Sequence, residues 1–203
     1  GFSVSTPLLI EAGQSEAKGA LYAALDVADT TEEDWAKVQV TASAMVDGRA
    51  FVKAVNNFGL VKRAEKPKLF VFLEPDPGAP ETKAATAAVA TGLPAATPST
   101  SADRPLEITI APGQTVPALL RVQRNGHDDL ITFTVENLPH GIIVDNIGLN
   151  GVLIPKEQNE RQIFFAAAKW VAETDRLCFA VESQAGRQTS RPVLLHVRRN
   201  AGL

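Results

Sequence analysis

Few side chains in this sequence could do chemistry, and they are scattered. The three histidines, His127, His140 and His196, stand at intervals that match no zinc motif. His127 and His140 fall in turn sequences. His196 shares strand parity with Leu194 and Arg198, and all three read as surface histidines. The run His127-Asp128-Asp129 could hold a metal together with Asp145, but a polar turn is the simpler reading. The acidic stretch Asp26–Asp34 offers the clustered carboxylates that a hard cation wants. It lacks the Asp-x-Asp-x-Asp-Gly spacing, so a solvated loop is expected. Cys178 is the only cysteine and cannot form an intrachain disulfide. Its setting, Arg-Leu-Cys-Phe-Ala-Val, is that of a strand, which implies a buried and inert thiol. No Gly-x-Ser-x-Gly, P-loop or dinucleotide glycine motif is present, and no base is marked out for Ser183. Trp35 and Trp170 could stack on a sugar, although a rim aromatic that covers a core is the commoner role for such residues. The sequence therefore assigns no catalytic residue, no cofactor-binding residue and no metal ligand. The expectation is a protein that is not an enzyme and needs no cofactor.

What must position these residues follows from bulk properties and pattern. At 203 residues, with 45% hydrophobic and 21% charged residues, the chain is long enough for one or two domains with a real core. A net charge of -3 argues against nucleic acid, and Arg198-Arg199 is too short for a phosphate-tracking groove. No apolar run approaches the roughly 18 residues of a membrane-spanning helix. The N-terminal Gly-Phe-Ser-Val-Ser lacks the basic start and apolar stretch of a signal peptide.

Periodicity points to β structure throughout. Val38, Val40 and Ala42 alternate with polar residues, as in a half-buried strand. Asp47-Gly48 is a two-residue hairpin signal that returns the chain through Ala50–Val55. Residues 67–73 form a last N-terminal strand. From 76 to 105 the chain turns to Pro, Ala, Thr and Ser, a linker composition. Beyond it, alternation recurs at Ile108 and Ile110, Leu120 and Val122, Ile131 and Phe133, Ile163 and Phe165, Leu177, Phe179 and Val181, and Val193, Leu195 and Val197. Turn signals separate these runs, the pattern of a two-sheet sandwich. An offset similarity between residues 8–27 and 152–171 suggests an internal repeat. On that reading Ala17–Leu25 is a strand like its counterpart Gln162–Phe165.

The segments Ile110-Ala111-Pro112-Gly113-Gln114, Arg124-Asn125-Gly126, Glu136-Asn137-Leu138-Pro139-His140-Gly141, Ile154-Pro155 with Gln158-Asn159-Glu160, and Pro192–Val197 carry a resemblance. Residues 106–199 resemble the immunoglobulin-like β-sandwich modules found in tandem in bacterial, planctomycete-type secreted and surface proteins. The expected fold is all-β: a partial module over 1–75 equivalent to the C-terminal half of such a sandwich, a linker over 76–105, and a complete sandwich over 106–199. The resemblance implies a structural or assembly role in an extracellular or cell-surface protein, acting through strand edges and an apolar face. Alternatives are an accessory region of a secreted hydrolase and a carbohydrate-binding module. A half sandwich leaves an open edge, so a protein partner or a further segment of the same precursor is expected to complete it. Leu69, Val71 and Leu73 would face the core, leaving Phe70 and Phe72 as the candidate partner interface.

Overall fold

The computed structural model describes residues 1–6, 8–78, 105–145 and 152–199. Apart from 76–78 and 105, the linker lies outside these residues. The fold is all-β: the described residues form thirteen strands and one short helix. They fall into two compact units, one of 1–3 with 22–66 and one of 4–21 with the chain from 67 onward.

In the smaller unit, helix α1 (Glu32–Ala36) starts where Thr31 and Asp34 form a capping box. The Thr31 hydroxyl accepts from the Asp34 N–H at 3.3 Å, and the Asp34 carboxylate accepts from the Thr31 N–H at 2.9 Å. The acidic stretch thus serves in part as a helix start. Trp35 is the buried centre of this unit. Phe2 and Phe58 meet its ring edge-on at 5.2 and 6.2 Å, and its indole N–H donates to the Thr30 hydroxyl at 2.7 Å. Strands β3 (Val40–Val46) and β4 (Arg49–Val55) follow as an antiparallel hairpin. Two further short strands, β1 (Phe2–Val4) and β2 (Leu21–Ala23), of which residues 2–3 and 22–23 fall in this unit, form a separate two-stranded sheet.

The larger unit contains two sheets that share one core. The four-stranded sheet runs β5 (Leu69–Pro75), β7 (Thr115–Arg124), β11 (Glu160–Ala167), β9 (Ile142–Asp145). The five-stranded sheet runs β10 (Val152–Ile154), β8 (Ile131–Glu136), β12 (Thr174–Glu182), β13 (Val193–Val197), β6 (Leu106–Ile110). All neighbours are antiparallel except β13 and β6, which run parallel. The alternation read from the sequence is the alternation of burial except on β12, where Cys178 and Ala180, not Leu177, Phe179 and Val181, join the core. Ile108, Ile110, Leu120, Val122, Ile131, Phe133, Ile163, Phe165, Val193, Leu195 and Val197 all lie in the core.

Two expectations meet a different outcome. Residues 69–75 do not belong with the N-terminal unit: β5 pairs with β7 along its whole length, Leu69 opposite Arg124 and Leu73 opposite Leu120. The compact units divide at 3/4, 21/22 and 66/67, which places 67–75 in the larger one. The sheet completed by β5 is the one that residues 106–199 were expected to build alone. The second concerns the repeat. Ile154 is fully buried, whereas its counterpart Ile10 is exposed. Of Ala17–Leu25, only Leu21–Ala23 is strand.

Three charged side chains fasten the connections of the larger unit. The Arg124 guanidinium donates to the carbonyls of His127, Asp129, Pro155 and Gln158 at 2.7–3.1 Å, tying two loops to β7. Glu182 is fully buried, and its carboxylate accepts from the backbone N–H of Gln184, Ala185 and Gln188 at 2.6–2.7 Å. A buried charge is tolerated where hydrogen bonds replace its hydration, as they do here. Arg176, also buried, pairs with Glu11 and donates to the Leu9 carbonyl at 2.5 Å, binding the N-terminal stretch to β12. No helix among the described residues is long and apolar enough to cross a membrane.

Candidate functional site, an exposed apolar hairpin

The hairpin β3–β4 is built by its turn. Asp47 and Gly48 both have positive φ, 49° and 75°, the conformation a two-residue turn needs to match strand twist. Asp tolerates the left-handed region because its short side chain can bond locally, and Gly has no Cβ to clash. The register that follows sets Val46 opposite Arg49, Ala44 opposite Phe51, Ser43 opposite Val52 and Val40 opposite Val55.

This register sorts the side chains onto two faces, because cross-strand partners share a face. One carries Val40, Ala42, Ala44 and Val46 with Arg49, Phe51, Lys53 and Val55. The other carries Thr41, Ser43 and Met45 with Ala50, Val52 and Ala54, and has no charged residue. The sequence predicts a half-buried strand here. Instead every residue of the two strands is exposed except Val40, which is half-buried. Met45, Phe51 and Val52 retain 68%, 55% and 72% of their accessible surface. A two-stranded hairpin is at best marginally stable in water, and contiguous exposed apolar surface on both faces marks a contact site.

The two phenylalanines expected at an interface lie on β5. Leu69, Val71 and Leu73 point into the core, as the alternation predicts, and Phe70 and Phe72 lie half-buried on the opposite face. Polar groups cover part of that face. The Arg121 guanidinium sits 5.7 Å from the centre of the Phe72 ring and pairs with Glu74 at 2.8 Å. Asp76 accepts from the Gln162 amide, which together with the Gly78 N–H holds its carboxyl below the usual carboxylate range.

The structure separates the histidines. His127 lies in the turn fastened by Arg124. His140 packs its ring on Trp170 at 5.1 Å, and its backbone N–H donates to Glu11 at 3.1 Å. Trp170 is exposed and Trp35 buried, so the two tryptophans are not equivalent. His196 is in a cluster that parity alone did not reveal. Its Nδ1 lies 2.6 Å from the Asp175 carboxylate and its Nε2 lies 3.6 Å from Glu107, with Arg198 on the same Asp175 oxygen. The hydrogen bond from His196, helped by Arg198, holds the Asp175 carboxyl below its ordinary range. These residues come from three adjacent strands, β12, β13 and β6, in the register that sets His196 beside both Asp175 and Thr109. The signal was present in the sequence as like parity, but only strand order could bring the positions together. Cys178 is fully buried, and desolvation pushes its thiol up to about 12.

Among the described residues, no group of three or more His, Cys, Asp or Glu side chains is placed to hold a metal ion. Asp34, a carboxylate of the acidic stretch, is committed to Thr31, whose backbone and hydroxyl hydrogen bonds lower its pKa. Compared with known proteins, the chain matches no family model and no curated relative.

Proposed function

We propose that this chain is a non-catalytic assembly module of a bacterial extracellular or cell-surface protein. It would act through protein–protein contacts made by the β3–β4 hairpin, on an immunoglobulin-like sandwich as scaffold. The observation that carries the assembly role is the hairpin itself: two seven-residue strands exposed on both faces, with large apolar side chains in water. Support for the scaffold comes from strand order. In chain order β5, β7, β8, β9, β11, β12 and β13 take the places of strands A to G. Orders A-B-E-D and C-F-G, with β6 and β10 at the outer edges of the second, are what an immunoglobulin-like scaffold would need, and they support that reading.

The test replaces Thr41–Ala54 with a short Gly-Ser turn. The larger unit should keep its cooperative melt at an unchanged midpoint, because a contact arm adds nothing to its own core. Loss of that melt would make the hairpin part of the chain's own fold and overturn the reading.

A further inference from the structure

Strand β3 reads Val-Thr-Ala-Ser-Ala-Met-Val and is nearly palindromic about Ser43. It carries no charge and no proline, the residues that usually guard an exposed strand edge. Strand β4 is different, since Arg49 and Lys53 stand along it with no acidic residue to balance them. Among the described residues neither strand has a partner on its outer side.

We propose that β3 pairs antiparallel with β3 of a second copy of this chain, centred on Ser43. The proposal rests on the assembly reading above and names the partner. The hairpin's own geometry sets the register. A two-residue turn makes Val46 and Arg49 the closing hydrogen-bonded pair, and pairs alternate from there. The backbone groups of Ala44 and Ala42 are thereby used within the hairpin, and those of Thr41, Ser43 and Met45 face outward. An antiparallel pair centred on Ser43 sets Ser43 opposite Ser43 and Thr41 opposite Met45. All three outward-facing residues are then satisfied by the same residues of the other copy. The remaining positions match Val40 with Val46 and Ala42 with Ala44, small and apolar against small and apolar. Such a contact is self-complementary, as a two-fold interface must be. It also converts two marginal hairpins into one four-stranded sheet in the order β4-β3-β3-β4, and Arg49 and Lys53 stay on the outer strands. Pairing β4 with β4 would instead gather four cations into one sheet centre, which like-charge repulsion disfavours.

Cysteine cross-linking of the full chain tests this. Opposed residues in a hydrogen-bonded pair have Cα atoms about 5.5 Å apart, inside the range of about 4.4–6.8 Å that a disulfide spans. Cys178 is buried and gives no background. Under mild oxidation Ser43→Cys should yield a disulfide-linked dimer, whereas Val52→Cys, equally exposed on β4, should remain a single chain. In sedimentation velocity the unmodified chain should show a concentration-dependent dimer. Ser43→Lys sets two charges face to face and should weaken that dimer by roughly tenfold or more. Cross-linking at position 52 but not at 43 would overturn the choice of edge and leave the assembly reading standing. A single-chain mass at every concentration, with neither variant cross-linked, would overturn the second copy as partner. The hairpin-replacement experiment would then decide the assembly reading separately.

Discussion

Strands β3 and β5 have the same length and both lack charge over their first five residues, yet they meet opposite fates. Leu69–Pro75 carries Leu, Val and Leu on one parity, and burying them against β7 and the opposite sheet removes large apolar areas from water. At the equivalent positions Val40–Val46 carries Val40, Ala42 and Ala44, with Thr41 and Ser43 on the other parity. Neither of its faces offers enough apolar area to fix it on a core. Side-chain volume on one parity separates a strand that folds inward from one left at the surface.

The largest effect expected from this contrast comes from removing β5. A chain of residues 105–199 loses Leu69, Val71 and Leu73 from its core and leaves the edge of β7 bare. It should show no cooperative thermal transition, while 67–199 should show one. An equally sharp melt of both would mean that β5 is dispensable.

Next come single truncations on either side of the comparison. Phe165→Ala removes a fully buried ring and should destabilise the larger unit by about 3–5 kcal/mol in a denaturant titration. Phe51→Ala on the hairpin should leave that unit's stability within about 0.5 kcal/mol, as exposed positions do. Comparable losses from both would erase the distinction between the strands.

A smaller effect concerns pH. The Asp175 carboxyl is held below its ordinary range in the folded chain. Its contribution is therefore present above the ordinary carboxylate pKa and is lost as pH falls through the lowered folded value. The melting midpoint of Asp175→Asn should lie below that of the parent at neutral pH, and the gap should close on acidification. A gap that widens on acidification would contradict the assigned sign.

The sequence made most strands of the larger unit legible because they bury one parity of Ile, Leu, Val or Phe, and its turns are marked by Gly and Asn. On β12 the core parity is carried by Cys178 and Ala180, which the larger Leu177, Phe179 and Val181 obscured. It also marked the β3–β4 turn through Asp47-Gly48. It did not reveal that β5 crosses the linker to join β7. That pairing is non-local, and a strand's alternation says which face is buried without saying which strand lies beside it. The similarity between 8–27 and 152–171 misled for a related reason. Matching residue types at Ile10 and Ile154 carried no information about neighbours, and one is exposed while the other is buried. Phe70 and Phe72 of β5 read in the sequence as an interface because two large aromatics share a parity. The sequence could not show that Arg121, 49 positions beyond Phe72, would sit over one of them. Exposure of β3–β4 is not legible in the alternation of Val38, Val40 and Ala42, because alternation carries no measure of side-chain size.

Amide hydrogen exchange followed by mass spectrometry, at low and high protein concentration, tests the contrast most directly. Peptides covering 69–75 and 115–124 should exchange slowly at both concentrations. Those covering 40–55 should exchange freely when the chain is dilute and gain protection as it is concentrated. Equal, concentration-independent protection of 40–55 and 69–75 would show the hairpin to be as firmly held within one chain as β5, and would contradict the account.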